Sequence, residues 1–434
     1  MRTRTRPKVV DLYAGAGGLS LGFEQAGFDV VAVVEFDPIH CATHEFNFPK
    51  TSVICADTRT VTGESILEVI GLGKGELDVL VGGPPCQGFS LMGKRALDDP
   101  RNGLVSEFGR LVLELNPKYF VMENVAGLTQ GNHKKFLAEI IEFFHDAGYE
   151  IKTPYKVLDA GNFGVPQHRE RLFLIGARKG YKLPEYPQAK TISRKMRPKE
   201  NWADQLSIID IGPSVLDALS DLPNVDDLPE LALHDSAVVS LGNPSVYASK
   251  LRGETVDLDD HAHKRVWDES ILTSSARTVH TQKTIERFRE TPHGFNEEIS
   301  RFLKLHPEGI SNTLRAGTNS DRGAHTAPRP IHPMHNRVIT VREAARLHSY
   351  PDWFRFHVSK WHGFRQIGNS VPPLLARAVA EEIFKVLNGK HSDVDTLTLG
   401  DPSLLMLTPA SAAAKYNVTR MISARRNRGN SKNE

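Results

Sequence analysis

The 434-residue sequence has little cysteine, almost no net charge and no long apolar run. Three cysteines are too few for a disulfide framework and lack the paired spacing of a zinc site, which suits a reducing cytoplasm and predicts no bound metal. A run of about 18 apolar residues that could span a membrane is missing, and the basic start does not read as a signal peptide. The formal net charge of +2 requires any surface for a polyanion to be local.

What is present fits a folded protein with room for more than one domain. Between Val9 and Arg178, short β-branched apolar runs alternate with amphipathic stretches, which predicts a doubly wound α/β fold around a buried, mostly parallel sheet. The predicted strands lie near 9–14, 30–36, 52–56, 78–82, 119–124, 154–158 and 171–177. The predicted crossover helices are Leu19–Ala26, Pro38–Phe46, Gly103–Leu115 and Lys134–Ala147.

The pattern breaks after Arg178. A basic stretch at 190–199 precedes an acidic one at 204–260, which we expect to form solvent-facing loops and helices. Residues 261–330 are rich in His, Arg and Gly without clean periodicity, and Thr340–Tyr350 and Val371–Lys390 are again helical in pattern. We therefore expect a first domain, a smaller irregular second domain, C-terminal helices and a mobile basic tail, over 1–179, 180–329, 330–390 and 391–434.

A glycine-rich loop follows the first predicted strand, at the strand end where open α/β sheets bind ligands. Glu35 lies 20 residues after Gly15, a separation that lets a carboxylate reach the ribose of a bound nucleoside. Asp57, after the third strand, could contact an adenine amino group. The glycines could instead merely turn the chain, and their spacing fits a dinucleotide site imperfectly. A nucleoside without a pyrophosphate fits better.

Cys86 lies in a loop rich in Gly and Pro after the fourth strand. Prolines before the thiol and Gly88 after it hold the sulfur on a stiff turn facing the same crevice, which suits a nucleophile. An inert core cysteine is the alternative, and we expect that role for Cys41 and Cys55. No packing requirement explains two glycines and two prolines ahead of Cys86.

These residues resemble the cytosine-C5 DNA methyltransferases over roughly 9–178 and 330–388. Six motifs occur in the family's order: Asp11–Gly18, Pro84-Pro85-Cys86-Gln87-Gly88-Phe89-Ser90, Glu123-Asn124-Val125, Gln167-His168-Arg169-Glu170-Arg171, Arg337–Pro351, and Gln366-Ile367-Gly368-Asn369-Ser370-Val371-Pro372-Pro373. The resemblance implies a Rossmann-like methyltransferase fold whose last motif opens the final helix. It also implies that this helix returns to pack beside the first loop.

The resemblance implies a catalytic set that activates cytosine by covalent addition. Cys86 would be the nucleophile at C6, Glu123 the acid at N3 and Arg171 the contact to O2, with Arg169 as its polar neighbour. Glu123 could instead cap the following turn, and the two arginines could form a solvated cluster with Glu170. The cofactor would be S-adenosylmethionine, with contacts mapped onto Tyr13, Gly15, Gly17, Glu35, Phe36, Asp57, Pro85, Leu104, Asn369 and Ser370. Phe36 would stack on adenine unless it is a core aromatic.

The implied substrate is a cytosine flipped out of duplex DNA, because attack at C6 needs an exposed ring face. Contacts to DNA are expected from Ser90, Lys94, Arg95, Arg315, Arg322 and Arg329. The implied setting is a bacterial restriction-modification system in the cytoplasm, with the enzyme a monomer on DNA at the nucleoid and a cognate endonuclease as a functional partner. Alternatives are a tRNA cytosine methyltransferase of this family, a silent DNA-binding relative and, least favoured, an NAD-dependent oxidoreductase.

Overall fold

The computed structural model describes residues 6–85, 103–131, 133–196, 210–317, 329–392 and 394–419. Its main feature is an eight-stranded sheet of β1 (Lys8–Leu12), β2 (Asp29–Glu35), β3 (Ser52–Cys55), β4 (Val79–Gly82), β5 (Tyr119–Val125), β6 (Tyr149–Ile151), β7 (Lys156–Asp159) and β8 (Glu170–Arg178). Five strands pair in parallel in the order β3-β2-β1-β4-β5. Strand β8 pairs antiparallel with β5 along one edge and antiparallel with both β6 and β7 along its other edge. The predicted doubly wound, mostly parallel sheet is confirmed.

Helices cover both faces of this sheet: α1 (Gly18–Gln25), α2 (Pro38–Asn47), α3 (Gly63–Ile70), α4 (Gly103–Leu115) and α5 (His133–Asp146). Val9 and Val10 belong to different core clusters although they are neighbours on β1. Successive side chains of a strand point to opposite faces, so both faces are buried, which is why the strands read as continuous apolar runs. Helix α4 has its predicted bounds, whereas the short elements α3 and β6 were not predicted.

The middle of the chain is irregular, as expected. It contains α6 (Val215–Leu219), β9 (Ala237–Val238), α7 (Val246–Leu251), β10 (Lys264–Val266), β11 (Ile271–Leu272) and α8 (Gln282–Glu290). The expectation that the acidic stretch faces solvent is wrong at Asp221, which is buried and pairs with Arg346 at 3.1 Å and with Arg252 at 3.2 Å. This carboxylate neutralises a guanidinium that is itself fully buried.

The C-terminal helices return to the sheet. Helices α9 (Val341–Leu347), α10 (Lys360–Asn369) and α11 (Pro373–Val386) follow the irregular region. A Cβ placed on Gly22 of α1 would lie 2.3 Å from Cβ of Ala376, so α11 packs directly against the first helix, as the resemblance implied. The last motif does not simply open the final helix: its first four residues, Gln366–Asn369, end α10, and α11 starts only at Pro373.

The prediction of a mobile tail from residue 391 is wrong for residues 394–419. These residues form β12 (Thr396–Thr398), a 3₁₀ helix (Pro402–Met406) and α12 (Pro409–Lys415). The segment is ordered because β12 pairs with β10 and because Leu404 and Leu405 pack into a core cluster.

The proposed division into domains stays a prediction. One hydrophobic core cluster combines Leu21, Val215, Leu314 and Phe364, so it crosses the proposed domain boundaries at 179/180 and 329/330. No helix in the described part of the chain is long and apolar enough to cross a membrane.

Candidate active site

The strand order of the sheet reverses between β1 and β4, so the loops after these strands lie side by side at the carboxyl edge. One is the glycine loop that follows Leu12. The other starts with Gly83, Pro84 and Pro85, and Asn124 on the neighbouring strand donates a hydrogen bond to the carbonyl of Pro84 at 3.2 Å. Sequence reasoning gave Asn124 no role, although it lies within a quoted motif. Several predicted residues fall outside the described residues: Cys86, Ser90, Lys94, Arg95 and Arg322.

The glycine loop turns through left-handed backbone. Tyr13, Gly15 and Gly17 have φ values of 59°, 57° and 102°. Such a conformation costs a tyrosine about 1 kcal/mol or more, and it persists where surrounding contacts enforce it. One such contact is the Tyr13 hydroxyl, which donates to the carbonyl of Leu104 at 2.8 Å. Two residues predicted to bind the cofactor are thereby joined.

The glycine loop and the last motif are in direct contact at Gly18. A Cβ at this position would lie 2.3 Å from the carbonyl oxygen of Val371, 2.7 Å from the Tyr350 hydroxyl and 2.9 Å from Cβ of Ser370. Only glycine allows this approach. Ser370 therefore lies beside the glycine loop, as predicted, and Asn369 is exposed at the end of α10.

The carboxylate of Glu35 bridges two backbone segments at the end of β2. Its Oε2 accepts a hydrogen bond from the Gly15 amide, and its Oε1 accepts one from the Asp37 amide, both at 2.8 Å. The next side chain, Phe36, is 50% exposed, so it is not a core aromatic. Asp57 lies just beyond β3, where Arg59 binds its carboxylate and holds its pKa below the usual value.

Glu123 on β5 and Arg171 on β8 form an ion pair at 2.7 Å between Oε1 and Nε. A Cβ on Gly83 would lie 2.7 Å from the other carboxylate oxygen, Oε2, so this oxygen points to the loop that leads to Cys86. Burial raises the pKa of Glu123, against the opposing effect of Arg171 and Arg169. The site thus favours the protonated carboxyl more than water does.

Arg169 takes a different direction from Arg171. It is 1% exposed and donates to the carbonyls of Leu314, Gly368 and Ser370 at 2.9, 2.8 and 2.7 Å. One guanidinium therefore joins the start of β8 to the irregular region and to the last motif. Its burial lowers its pKa to about 9.

Gln167 reinforces this junction, although sequence reasoning assigned it no role. Its amide nitrogen donates to the carbonyl of Leu347 at 3.2 Å and to Nδ1 of His348 at 2.9 Å, and its carbonyl accepts from the Leu314 amide. Its position inside a quoted motif was the only signal in the sequence.

Two of the arginines predicted to contact DNA are described. Arg315 is exposed and directly follows Leu314, whose backbone is fixed by Arg169 and Gln167. Arg329 lies over the ring of Phe364 with its guanidinium carbon 4.5 Å from the ring centroid. Arg315 is therefore available at the surface, whereas Arg329 is held against an aromatic ring.

Asp11, Ser20 and His44 form a chain of buried hydrogen bonds beside the glycine loop. Sequence reasoning did not predict this chain. The Ser20 hydroxyl donates to Asp11 Oδ2 at 2.6 Å, and His44 Nε2 lies 3.1 Å from the same hydroxyl oxygen. Because the single hydroxyl proton goes to Asp11, His44 donates to Ser20. Burial, aided by the charges of Glu35 and Glu123 and opposed by the Ser20 hydrogen bond, raises the pKa of Asp11 to about 7.

The fold is that of the methyltransferases that act on C5 of cytosine. The sequence profile of the C-5 cytosine-specific DNA methylases matches residues 7–385, and the chain belongs to this family. It is a DNA cytosine-5-methyltransferase of the Type II restriction-modification type, which confirms the resemblance.

Two relatives are similar in sequence to most of this chain. The chain is 53% identical over 425 residues to the Type II methyltransferase M.XorII of Xanthomonas oryzae pv. oryzae, covering 98% of this chain and 96% of that protein. It is 32% identical to the Type II methyltransferase M.AgeI of Thalassovita gelatinovora, covering 87% and 99%.

Two solved structures have the same fold as this chain. A prophage-encoded E. coli protein, described as a candidate DNA modification methyltransferase, superposes with a TM-score of 0.69 at 34% identity, over 88% of this chain and 99% of that one. The Dnmt2 methyltransferase of S. pombe shares the fold, with a TM-score of 0.53 at 16% identity over 88% and 100% of the two chains.

Gly18→Ala should separate the glycine loop from the last motif, because its methyl group would meet the backbone oxygen of Val371. We expect a loss of about 1–3 kcal/mol of unfolding free energy, typical of overpacking, and at least tenfold weaker binding of S-adenosylmethionine. Urea unfolding and titration calorimetry measure the two effects. Gly127→Ala is the control, since its Cβ would meet no described atom within 4 Å. Unchanged stability and affinity in Gly18→Ala would contradict the close contact.

Asp11→Asn should change how stability depends on pH. The folded-state pKa of Asp11, about 7, exceeds the ordinary value of 3.8, so the folded protein binds an extra proton between these values and wild-type stability falls as pH rises through this range. The variant lacks this loss. Its unfolding free energy relative to wild type should rise on the order of 2–3 kcal/mol from pH 5 to pH 8. Parallel urea-unfolding profiles would refute this, and Asp259→Asn, at an exposed position, is the control.

Proposed function

We propose that this enzyme transfers the methyl group of S-adenosylmethionine to C5 of a flipped-out cytosine in a specific duplex DNA site, through an adduct between Cys86 and C6. The observation that carries the proposal is the Glu123–Arg171 pair, 2.7 Å apart, with its second carboxylate oxygen towards the loop that leads to Cys86. A buried acid beside a loop bearing a thiol is what activation of a pyrimidine ring requires.

The residues at the carboxyl edge of β1 and β2 fit this cofactor. The half-exposed ring of Phe36 offers a face for adenine. Each oxygen of Glu35 accepts one backbone amide and keeps a second lone pair for a ribose hydroxyl. The other residues proposed to hold the cofactor are Tyr13, Gly15, Gly17, Asp57, Pro85, Leu104, Asn369 and Ser370. The cofactor supplies an electrophilic methyl group on a sulfonium.

The residues of the chain supply the rest of the reaction. The Cys86 thiolate adds to C6 of cytosine. The π electron pair of the C5=C6 double bond moves onto C5 and is delocalised towards N3. Protonated Glu123 donates to N3, where negative charge develops, and Arg171, held against Glu123, faces O2. C5 would then attack the sulfonium methyl group, and the electron pair of the broken carbon–sulfur bond would stay on sulfur, so that a neutral thioether leaves. Loss of the C5 proton to a base expels Cys86 and restores the ring. Arg169 acts as a positioning residue, because its two terminal nitrogens donate to the carbonyls of Leu314, Gly368 and Ser370.

We also propose which residues contact DNA. Segment 180–329 would read bases in the major groove, and Ser90, Lys94 and Arg95 would close over the flipped cytosine. Exposed Arg315 is well placed, because the backbone of its neighbour Leu314 is bound by Gln167 and Arg169, just before the strand that carries Arg171. Arg322 would act with it, and Arg329 would have to leave the ring of Phe364 to take part. We propose that the enzyme acts as a monomer in the cytoplasm, protecting nucleoid DNA from a cognate endonuclease.

Expression in a host without DNA methylation tests the function. Bisulfite sequencing should find unconverted cytosine in one sequence context of the DNA and none in tRNA. Cys86→Ala should reduce this signal to background, because no adduct at C6 can form, while purified Cys86→Ala should bind S-adenosylmethionine within about twofold of wild type.

Cys55→Ala, at a half-buried position on β3, is the matched control and should keep methylating. Methylation of tRNA alone would favour the RNA alternative. Methylation by Cys86→Ala would overturn the assignment of the nucleophile.

A further inference from the structure

The C-terminal extension, residues 394–419, lies beyond the part of the chain that the family profile matches, which ends at 385. It is nevertheless built into the fold. Strand β12 pairs in parallel with β10 of the irregular region, and the Lys264 amide donates to the carbonyl of Asp395 at 3.0 Å. An addition that is ordered by contacts with distant segments constrains those segments in return.

The extension holds α2, the helix that follows Glu35 and Phe36. The Gly400 amide donates to the carbonyl of Phe46 at 2.9 Å, and the Tyr416 hydroxyl donates to Glu45 Oε2 at 2.6 Å. Lys415 pairs with the other oxygen of Glu45 at 3.1 Å. Leu405 is fully buried in a cluster with Ala42 and Phe46 of this helix.

The extension also holds the segment that leads into α10. The carbonyl of Leu405 accepts from the Val358 amide at 3.0 Å, and the carbonyl of Leu407 accepts from His357 Nε2 at 2.9 Å. The His357 amide in turn donates to Gln366 Oε1, three residues before Asn369.

Each of the two held elements adjoins residues proposed to bind the cofactor and so forms one side of the proposed site. Helix α2 starts at its cap Asp37, whose amide binds Glu35, and α10 ends at Asn369. They are also linked to each other, because Gln366 Nε2 donates to the Thr43 hydroxyl at 2.8 Å. We propose that the C-terminal extension is a clasp that sets the spacing between these two sides, with Leu405 and Tyr416 as positioning residues for the cofactor. This inference rests on the proposed use of S-adenosylmethionine.

Two adjacent leucine and methionine side chains provide a matched pair of variants. Leu405 is 0% exposed and contacts α2, whereas Met406 is 66% exposed. Leu405→Ala should raise the dissociation constant for S-adenosylmethionine and for S-adenosylhomocysteine at least fivefold, measured by calorimetry. Met406→Ala should leave both constants within twofold of wild type. The affinity for DNA without cofactor should stay within twofold in both variants.

Tyr416→Phe keeps the ring and removes only the hydrogen bond to Glu45, so it decides the question if Leu405→Ala does not fold. It should weaken cofactor binding two- to threefold with little change in melting temperature. A variant that melts earlier but binds the cofactor like wild type would reduce the extension to a stabilising element and overturn the proposal. Wild-type protein that binds no S-adenosylmethionine would instead overturn the proposed function.

Discussion

The contact between Gly18 and the last motif is the constraint on which the site depends. The glycine loop and residues 369–371 come from opposite ends of the chain, and a single methyl group at Gly18 would overlap the Val371 carbonyl. The close fit continues along α1, where Gly22 approaches Ala376. Because van der Waals repulsion is steep, such a contact fixes the relative position of the two segments closely. The glycine loop and Ser370, both proposed to border the cofactor, take their relative positions from this packing.

A second junction connects the start of β8 to the irregular region and to the last motif. Arg169 and Gln167 bind the backbone of Leu314 from the segment that begins β8, and Arg169 also binds the carbonyls on either side of Asn369. Burying a guanidinium costs free energy unless its donors find acceptors. Any movement of these carbonyls away from Arg169 would therefore destabilise the fold. The backbone beside Arg315 and the last motif are thus held by one side chain, which would link the proposed DNA contact of Arg315 to the proposed cofactor site.

Sequence patterns predicted the sheet and its helices well because both faces of that sheet are buried, which makes apolar runs and amphipathic periods strong. Helix α4 has the predicted bounds for this reason. The motifs predicted which residues meet at the carboxyl edge, but the Glu123–Arg171 distance and the divergence of Arg169 depend on tertiary contacts that no local pattern carries. The roles of Gln167 and Asp11 were missed because a buried polar side chain has no sequence signature of its partner.

Charge was where sequence reasoning failed most clearly. The acidic stretch was expected to face solvent, yet two of its carboxylates pair with arginines far along the chain, Asp221 with Arg346 and Asp257 with Arg377. Some of the acidic residues that balance the basic ones in the sequence are therefore used in ion pairs within the fold. The C-terminal extension was missed for a related reason, since its short elements are stabilised only by the helix and strand that they contact.

The covalent bond proposed between Cys86 and the target cytosine can be trapped. With 5-fluorocytosine at the target position, the fluorine cannot leave as the C5 proton does, so the methylated adduct should persist. Denaturing electrophoresis and mass spectrometry should then find DNA attached to the peptide that contains Cys86, only when S-adenosylmethionine is present. Attachment at Cys41 or Cys55, or methylation of ordinary DNA with no trapped adduct on the fluorinated duplex, would contradict the account.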